Sequence, residues 1–277
     1  MNKTLQDLRV SIDDIDRKIH SLLVERAEVV AAIGRIKSST ESSSSCGNLR
    51  IDRECDVIRT RIHEHKGKFP LNSLIRIWRE IISASLRIEG DFSVAVHARK
   101  NFASFQFLQN VRDYFGSHTD MRIYSSSIAA VNAVNKNKAT VAAFPIFSAD
   151  KNVDKLWLIK DIPLKIALRL PIIREKNDLS ADAFVLAKGD CHPMENDISV
   201  LRVISSQSVA ELTRFFADCG ITGVVLEASC QAKDINSRFY LLTVNDYVAL
   251  DDSRLQKFIK MPKVMKAEVL GWYPILK

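Results

Sequence analysis

Arg26 and Lys37 are the residues whose placement first suggests chemistry. From Leu5 to Lys37, apolar residues recur three and four apart at Leu5, Leu8, Ile12, Ile15, Ile19, Leu22, Val29, Ile33 and Ile36. Such a seam marks a helix that packs along its length against other helices. The slot at position 26 holds Arg. An unpaired guanidinium in a helix interface is costly, so a buried anionic partner is expected. Lys37 lies eleven residues further on, roughly 20° round and about 16 Å along the axis. Two long cations leaning over one face leave room for a small anion between them. Arg9, seventeen residues before Arg26, falls about 100° away. It is expected to serve another surface, such as a second site in an oligomer.

The elements that must position these cations are helical. Thr4 with Asp7 reads as an N-cap, and no Gly or Pro interrupts the first helix before Gly34. A polar, Ser-rich run over residues 38–47 reads as a loop. A second helix is expected from Asp52 to His65, with Val57, Ile58 and Ile62 on its apolar side. Gly67 and Pro70 punctuate, and a third helix runs from Leu71 to Ile88 with Gly90 ending it. The first helix is too long for one chain to cover, which points to an interlocked homodimer.

The pattern L-x-x-L-R-x-x-I-D-x-I-D-x-x-I-x-x-L-L-x-x-R, followed by Lys37, resembles the first helix of the all-helical chorismate mutases. Ile51-Asp52-Arg53-Glu54 and Trp78 to Glu89 extend the resemblance over about residues 4–90. The resemblance implies rearrangement of chorismate to prephenate. That pericyclic step needs a flexible dianion held folded and its breaking ether oxygen stabilised, with no metal or cofactor. By the same resemblance, Arg26 and Arg9 of a partner subunit clamp the two carboxylates, and Arg53 closes over the substrate. Lys37 points at the ether oxygen, Glu54 accepts from the ring hydroxyl, and Ser85 sits near a carboxylate. Glu89 stands where bacterial relatives often have Gln and faces the ether oxygen opposite Lys37. Arg50 stands where many relatives have a carboxylate.

From Phe92 the periodicity changes. Strands at Phe92–His97, Met121–Tyr124 and Thr140–Pro145 alternate with helices at Phe102–Phe115 and Ile128–Asn135, a βαβαβ unit with a parallel sheet. Leu156–Ile159, Leu164–Leu170 and Ala183–Ala187 read as further strands. After these come a strand at Ile198–Ile204, a helix at Val209–Asp218 and strands near Val224–Glu227 and Phe239–Val244. A helix at Asp252–Lys260 and a strand at Ala267–Gly271 complete the order βαββαβ, a ferredoxin-like unit. Three domains are thus expected: 1–91 all-α, 92–195 α/β and 196–277 α+β.

The last two are similar to a shortened, degenerate prephenate dehydratase and its ACT domain. Val131 through Ile146 resembles the dehydratase segment ending Pro-Ile-Glu-Asn-Ser, but here the ending is Phe147-Ser148-Ala149. The Gly-rich turn expected after the first strand is His97-Ala98-Arg99-Lys100, and Asp182-Ala183-Phe184 takes the place of the dehydratase Thr-Arg-Phe. Thr213-Arg214-Phe215 spells that motif but falls inside a predicted helix. The middle segment is too short by nearly half for two lobes, and dehydration needs a cleft and an acid. Val269 to Pro274 resembles the end of an ACT domain, with Leu226-Glu227-Ala228-Ser229 where Glu-Ser-Arg-Pro is usual. Gln207-Ser208-Val209-Ala210 replaces the Gly-Ala-Leu-Val of the amino-acid site, so a structural or dimerising role is expected rather than phenylalanine sensing.

Net charge is +7, but the cations are dispersed, which favours an anionic metabolite over nucleic acid. The five cysteines share no metal spacing and read as reduced thiols. No apolar stretch reaches membrane-spanning length, and a cytoplasmic location is expected. The reading is a chorismate mutase of aromatic amino acid biosynthesis without dehydratase activity, with a partner enzyme of that pathway as a possible regulator. Competing readings are the bifunctional mutase–dehydratase, an isochorismate-pyruvate lyase and a non-catalytic ACT-type regulator.

Overall fold

The computed structural model describes residues 4–39, 49–98, 103–146, 156–173, 182–189, 192–194, 196–229 and 237–276. Three helices come first: α1 (Leu5–Ser39), α2 (Ile51–Glu64) and α3 (Leu71–Glu89). The Thr4 hydroxyl accepts from the Asp7 N–H at 3.2 Å while Asp7 accepts from the Thr4 N–H at 2.9 Å, so the predicted cap is reciprocal. The predicted Ser-rich loop falls mostly on residues 40–48, outside those described.

The α/β unit follows as β1 (Ser93–His97), α4 (Ala103–Phe115), β2 (Asp120–Tyr124), α5 (Ser127–Asn135), β3 (Val141–Pro145), α6 (Leu156–Ile159), β4 (Lys165–Leu170) and β5 (Ala183–Ala187). The last unit runs β6 (Asp197–Ser205), α7 (Val209–Asp218), β7 (Gly223–Ser229), β8 (Arg238–Val244), α8 (Ser253–Ile259) and β9 (Val264–Pro274). All strands join one nine-stranded sheet in the order β2-β1-β3-β5-β4-β9-β6-β8-β7. Strands β2, β1 and β3 are parallel as expected, whereas β5 is antiparallel to both β3 and β4. The predicted parallel sheet is therefore mixed.

Leu156–Ile159, read as a strand, is a helical turn. Its Trp157 ring is stacked on Phe144 at 5.3 Å and the Trp157 main-chain N–H donates to the Ser127 hydroxyl at 3.3 Å. Burying two large apolar side chains over the sheet outweighs the β-propensity of four residues. The βαββαβ order of the last unit is as predicted, with neighbours β9-β6-β8-β7 all antiparallel. Where β9 meets β4, Gly271 has φ 141° and lies against the Ile166 backbone, a position with no space for a Cβ.

The helices are not a separate body. Ile51, Cys55 and Ile58 of α2 and Ile75, Ile82 and Leu86 of α3 share one core with Val94, Val96, Phe107, Val111 and Phe115. Polar ties run along the same seam: Arg76 to Asp113 at 3.0 Å, and the Ser117 N–H to Glu80 at 2.9 Å. Helix α1 differs. Leu5, Leu8, Ile12, Ile15, Ile19, Leu22, Val29, Ile33 and Ile36 are all exposed. The predicted seam is thus not the face that meets α3; that face is the narrow stripe Arg26, Ala27, Val30, Ala31, Gly34 and Lys37. Small side chains let the two backbones approach: a Cβ on Gly34 would lie 3.1 Å from the Glu89 Cα.

Candidate active site

Helices α1 and α3 bring four of the predicted residues together. Ser85 and Glu89 are four apart on α3, so they occupy one face. Arg26 donates from Nη1 to the Ser85 hydroxyl, which itself donates to the Ile81 carbonyl at 2.8 Å. Burial lowers the Arg26 pKa, while the Glu89 carboxylate works in the opposite direction. The anion expected beside Arg26 is thus Glu89, acting through space, while the direct hydrogen bond goes to a neutral hydroxyl. Lys37 Nζ pairs with Glu89 Oε2 at 2.5 Å, with the lysine side chain 34% exposed and the glutamate 13%. One helical turn before Lys37, Gly34 supplies the close approach that lets a lysine ammonium reach α3.

Helix α2 adds charge at the rim. Arg50 at its N-terminus donates from Nε and Nη2 to both oxygens of Asp52, at 3.1 and 2.9 Å. These bonds raise the Arg50 pKa, and Glu89 contributes to the same effect, so Arg50 lies within the field of the cluster. Asp52 is lowered by the Arg50 hydrogen bonds. Arg53 is exposed one turn along the same side of α2 and pairs with none of the described residues. The half-open cluster carries Arg26, Lys37 and, at its rim, Arg50 against Glu89 and Asp52, a net cationic setting for a small dianion.

Two predicted residues stand elsewhere. Arg9 is exposed, and seventeen residues of helix place it about 26 Å from Arg26 along the axis. It does not reach the site of its own chain. Glu54 is a correction. It is 5% exposed and points away from the cluster, with Oε2 accepting from Arg79 Nη1 and Nη2 at 3.0 Å and from the Tyr114 hydroxyl at 3.1 Å. With Ile51, Cys55 and Ile58 it forms the buried stripe of α2. In this arrangement it is not available to a ring hydroxyl at the Lys37 end. Sequence reasoning did not single out Arg79 or Tyr114. The signal was the stripe Ile51, Cys55 and Ile58, which turns Glu54 inward and calls for a buried cation.

In the α/β unit, Asp182 is buried and accepts from Arg169 Nε at 2.8 Å, and Arg169 Nη1 donates to the Tyr273 hydroxyl at 3.0 Å. Phe147-Ser148-Ala149, Arg99 and Lys100 lie outside the described residues. Thr213-Arg214-Phe215 lies inside α7, as expected. Gln207 is buried, its side-chain amide donating to the Pro262 carbonyl at 3.2 Å while its main-chain carbonyl accepts from the Tyr240 hydroxyl. Among the described residues there is no group of three or more metal-ligating side chains, and no helix is long and apolar enough to cross a membrane.

A bifunctional chorismate mutase/prephenate dehydratase of Aquifex aeolicus is 36% identical over 172 residues, which are 61% of this chain and 47% of that protein. The chain therefore spans about half the length of that relative, and the likeness is too long to be confined to the three helices. Among solved structures, a chain titled as a quorum quenching acylase, GqqA, matches with TM-score 0.49 and 15% identity, covering 67% of this chain and 96% of that one. Prephenate dehydratase from Streptococcus mutans matches with TM-score 0.47 and 15% identity, covering 66% and 97%. Residues 8–90 match the family model of chorismate mutase type II, and the helical third of the chain carries the signature of that family.

Proposed function

We propose that the helical segment rearranges chorismate to prephenate and that the chain does not dehydrate prephenate. The observation that carries the first half is the convergence of Arg26, Lys37, Ser85 and Glu89 between α1 and α3. Arg26 presents a planar fork to one carboxylate, with Ser85 fixing its rotamer. The Lys37–Glu89 pair lies where the ether oxygen would break. Lys37 donates to that oxygen as it gains negative charge. Glu89 can donate only when protonated, and ionised it would repel the same charge. Arg53 closes from α2, and Arg50 adds attraction for the dianion. The exposed apolar stripe from Leu5 to Ile36 is the surface on which a second α1 would lie, giving a homodimer in which Arg9 of each subunit completes the other's site.

Loss of dehydratase chemistry is supported by the α/β unit. One sheet is present among the described residues, and Trp157 packs with Phe144 of β3 and Phe184 of β5 in one aromatic core. Asp182, at the start of β5, is neutralised by Arg169. The βαββαβ unit is read as an ACT-like fold with a structural role, since Gln207 is already engaged with Pro262.

One set of assays tests this: purified protein with chorismate, isochorismate and prephenate. Prephenate formed from chorismate alone is the expected result. Pyruvate from isochorismate, or phenylpyruvate from prephenate above the uncatalysed background, would overturn it. Mixing reversibly dissociated Arg9→Ala and Arg26→Ala proteins should restore part of the activity if sites are shared between subunits.

A further inference from the structure

Glu54, Arg79 and Tyr114 come from three helices, α2, α3 and α4, and meet where the helical segment abuts the α/β unit. Arg79 is 3% exposed and Tyr114 also 3%. Glu54 Oε2 receives three donors, two from Arg79 and one from Tyr114, while Oε1 is buried without a partner among the described residues. Arg79 also donates from Nε to the Tyr114 carbonyl at 3.0 Å and lies over the Tyr114 ring at 3.5 Å. Burial opposes the Arg79 charge, but Tyr114 and Glu54 outweigh it and hold the guanidinium charged. Burial raises Tyr114 well above the ordinary phenol range, so it stays a donor. Every polar contact of this cluster has a fixed direction, and one end belongs to the α/β unit.

Glu54 is adjacent to Arg53 on α2. Turning α2 about its axis would sweep both together, at about 100° per residue. The buried carboxylate therefore sets where the exposed Arg53 and Arg50 point. Apolar contacts alone fix such a rotation weakly, whereas three directional bonds to one oxygen fix it sharply.

Resting on the mutase reading, we propose that Tyr114 and Arg79 are positioning residues for the mutase site. They hold Glu54 so that α2 presents Arg53 to the substrate, which makes helix α4 of the α/β unit a working part of the mutase. What remains of that unit would then persist as a scaffold for α2 rather than as an enzyme in its own right.

The test is the full-length chain carrying Tyr114→Phe, which keeps the ring under Arg79 and removes only the hydroxyl donor. KM for chorismate should rise about fivefold with kcat changed less than about twofold, as expected when a binding group is misplaced. In an Arg53→Ala background, Tyr114→Phe should change KM no further, because both act through the same contact. An unchanged KM for the single variant, or the same fivefold rise on top of Arg53→Ala, would overturn the proposal. Hydrogen exchange is read alongside. Tyr114→Phe should speed exchange across α2 and leave α7 and α8 unaffected, and unchanged exchange in α2 overturns the strut even if the wild-type chain proves inactive on chorismate. Inactivity of the wild type with faster α2 exchange in the variant would overturn the mutase reading alone.

Discussion

Two charged clusters share helix α3, one with α1 and the other with α2, and differ in almost every physical respect. Arg26, Lys37 and Glu89 lie partly open, with Lys37 34% exposed. Arg79 and Glu54 lie closed, with side chains 3% and 6% exposed. In the open cluster, solvent and a ligand can compete for the same donors, so the Lys37–Glu89 pair contributes little to folding and much to the reach of an ammonium. In the closed cluster nothing can compete, and removing either partner strands a buried charge. On the proposed function, the same residue types serve binding on one side of α3 and assembly on the other. The two sides are about 120° apart on the helix, counted from Arg79 to Ser85.

The largest effect should come from breaking that division directly. Arg79→Met leaves Glu54 buried and unpaired, and denaturant unfolding should show a loss of about 3–5 kcal/mol. Arg26→Ala should change stability by less than about 1 kcal/mol, yet lower kcat/KM for chorismate by about 100-fold or more. A stable Arg79→Met or a fully active Arg26→Ala would dissolve the distinction.

A second expectation sharpens the open cluster. Glu89→Gln should raise kcat for chorismate by about twofold or more, because an amide can donate to the breaking ether oxygen whereas a carboxylate paired with Lys37 repels the charge building there. Identical kinetics for the two proteins would place Glu89 outside the chemistry.

The smallest effect concerns a carboxylate of intermediate character. Asp197 at the start of β6 is buried, accepts from the Met194 N–H at 2.6 Å, and has its other oxygen unpartnered among the described residues. Burial pushes its carboxyl up to about 6, against the opposing pull of Met194 and Arg59. The folded chain thus keeps this proton after the unfolded chain has lost it. Asp197 therefore lowers stability as pH rises from about 4 to about 6, and the penalty is complete above that range. Asp197→Asn should raise the melting temperature by about 2–4 °C at neutral pH. The gain should vanish below about pH 4, where the aspartate is protonated in both states. A gain independent of pH would argue against titration as its cause.

Much of this was legible from residues alone. The Thr4–Asp7 cap, the stop at Gly90 and the bounds of α7 follow from local chemistry that tertiary contacts do not override. The alignment of Arg26 with Lys37 follows from helix geometry, and both do face α3. The apolar side legible in the sequence, Val57, Ile58 and Ile62, already flanks Glu54 at about 100° per residue; what the sequence does not show is the partner, Arg79 on α3, that holds the carboxylate inside. The apolar seam of α1 was visible, but not which neighbour would use it. The close approach to α3 is made by Ala27, Ala31 and Gly34, residues whose lack of bulk leaves no hydrophobic signal. That β5 runs antiparallel to β3 and β4 is a matter of tertiary pairing, which periodicity does not encode.

The most direct test of the account is the rate at which the purified chain and its Lys37→Ala variant consume chorismate, with circular dichroism confirming equal helicity. The account predicts prephenate formation well above the uncatalysed rate for the wild type and a loss of about 1,000-fold in kcat for Lys37→Ala, the size expected for removing a donor aimed at developing charge. A folded wild-type protein with no turnover, or a Lys37→Ala protein that matches it, would contradict the placement of a mutase site between α1 and α3.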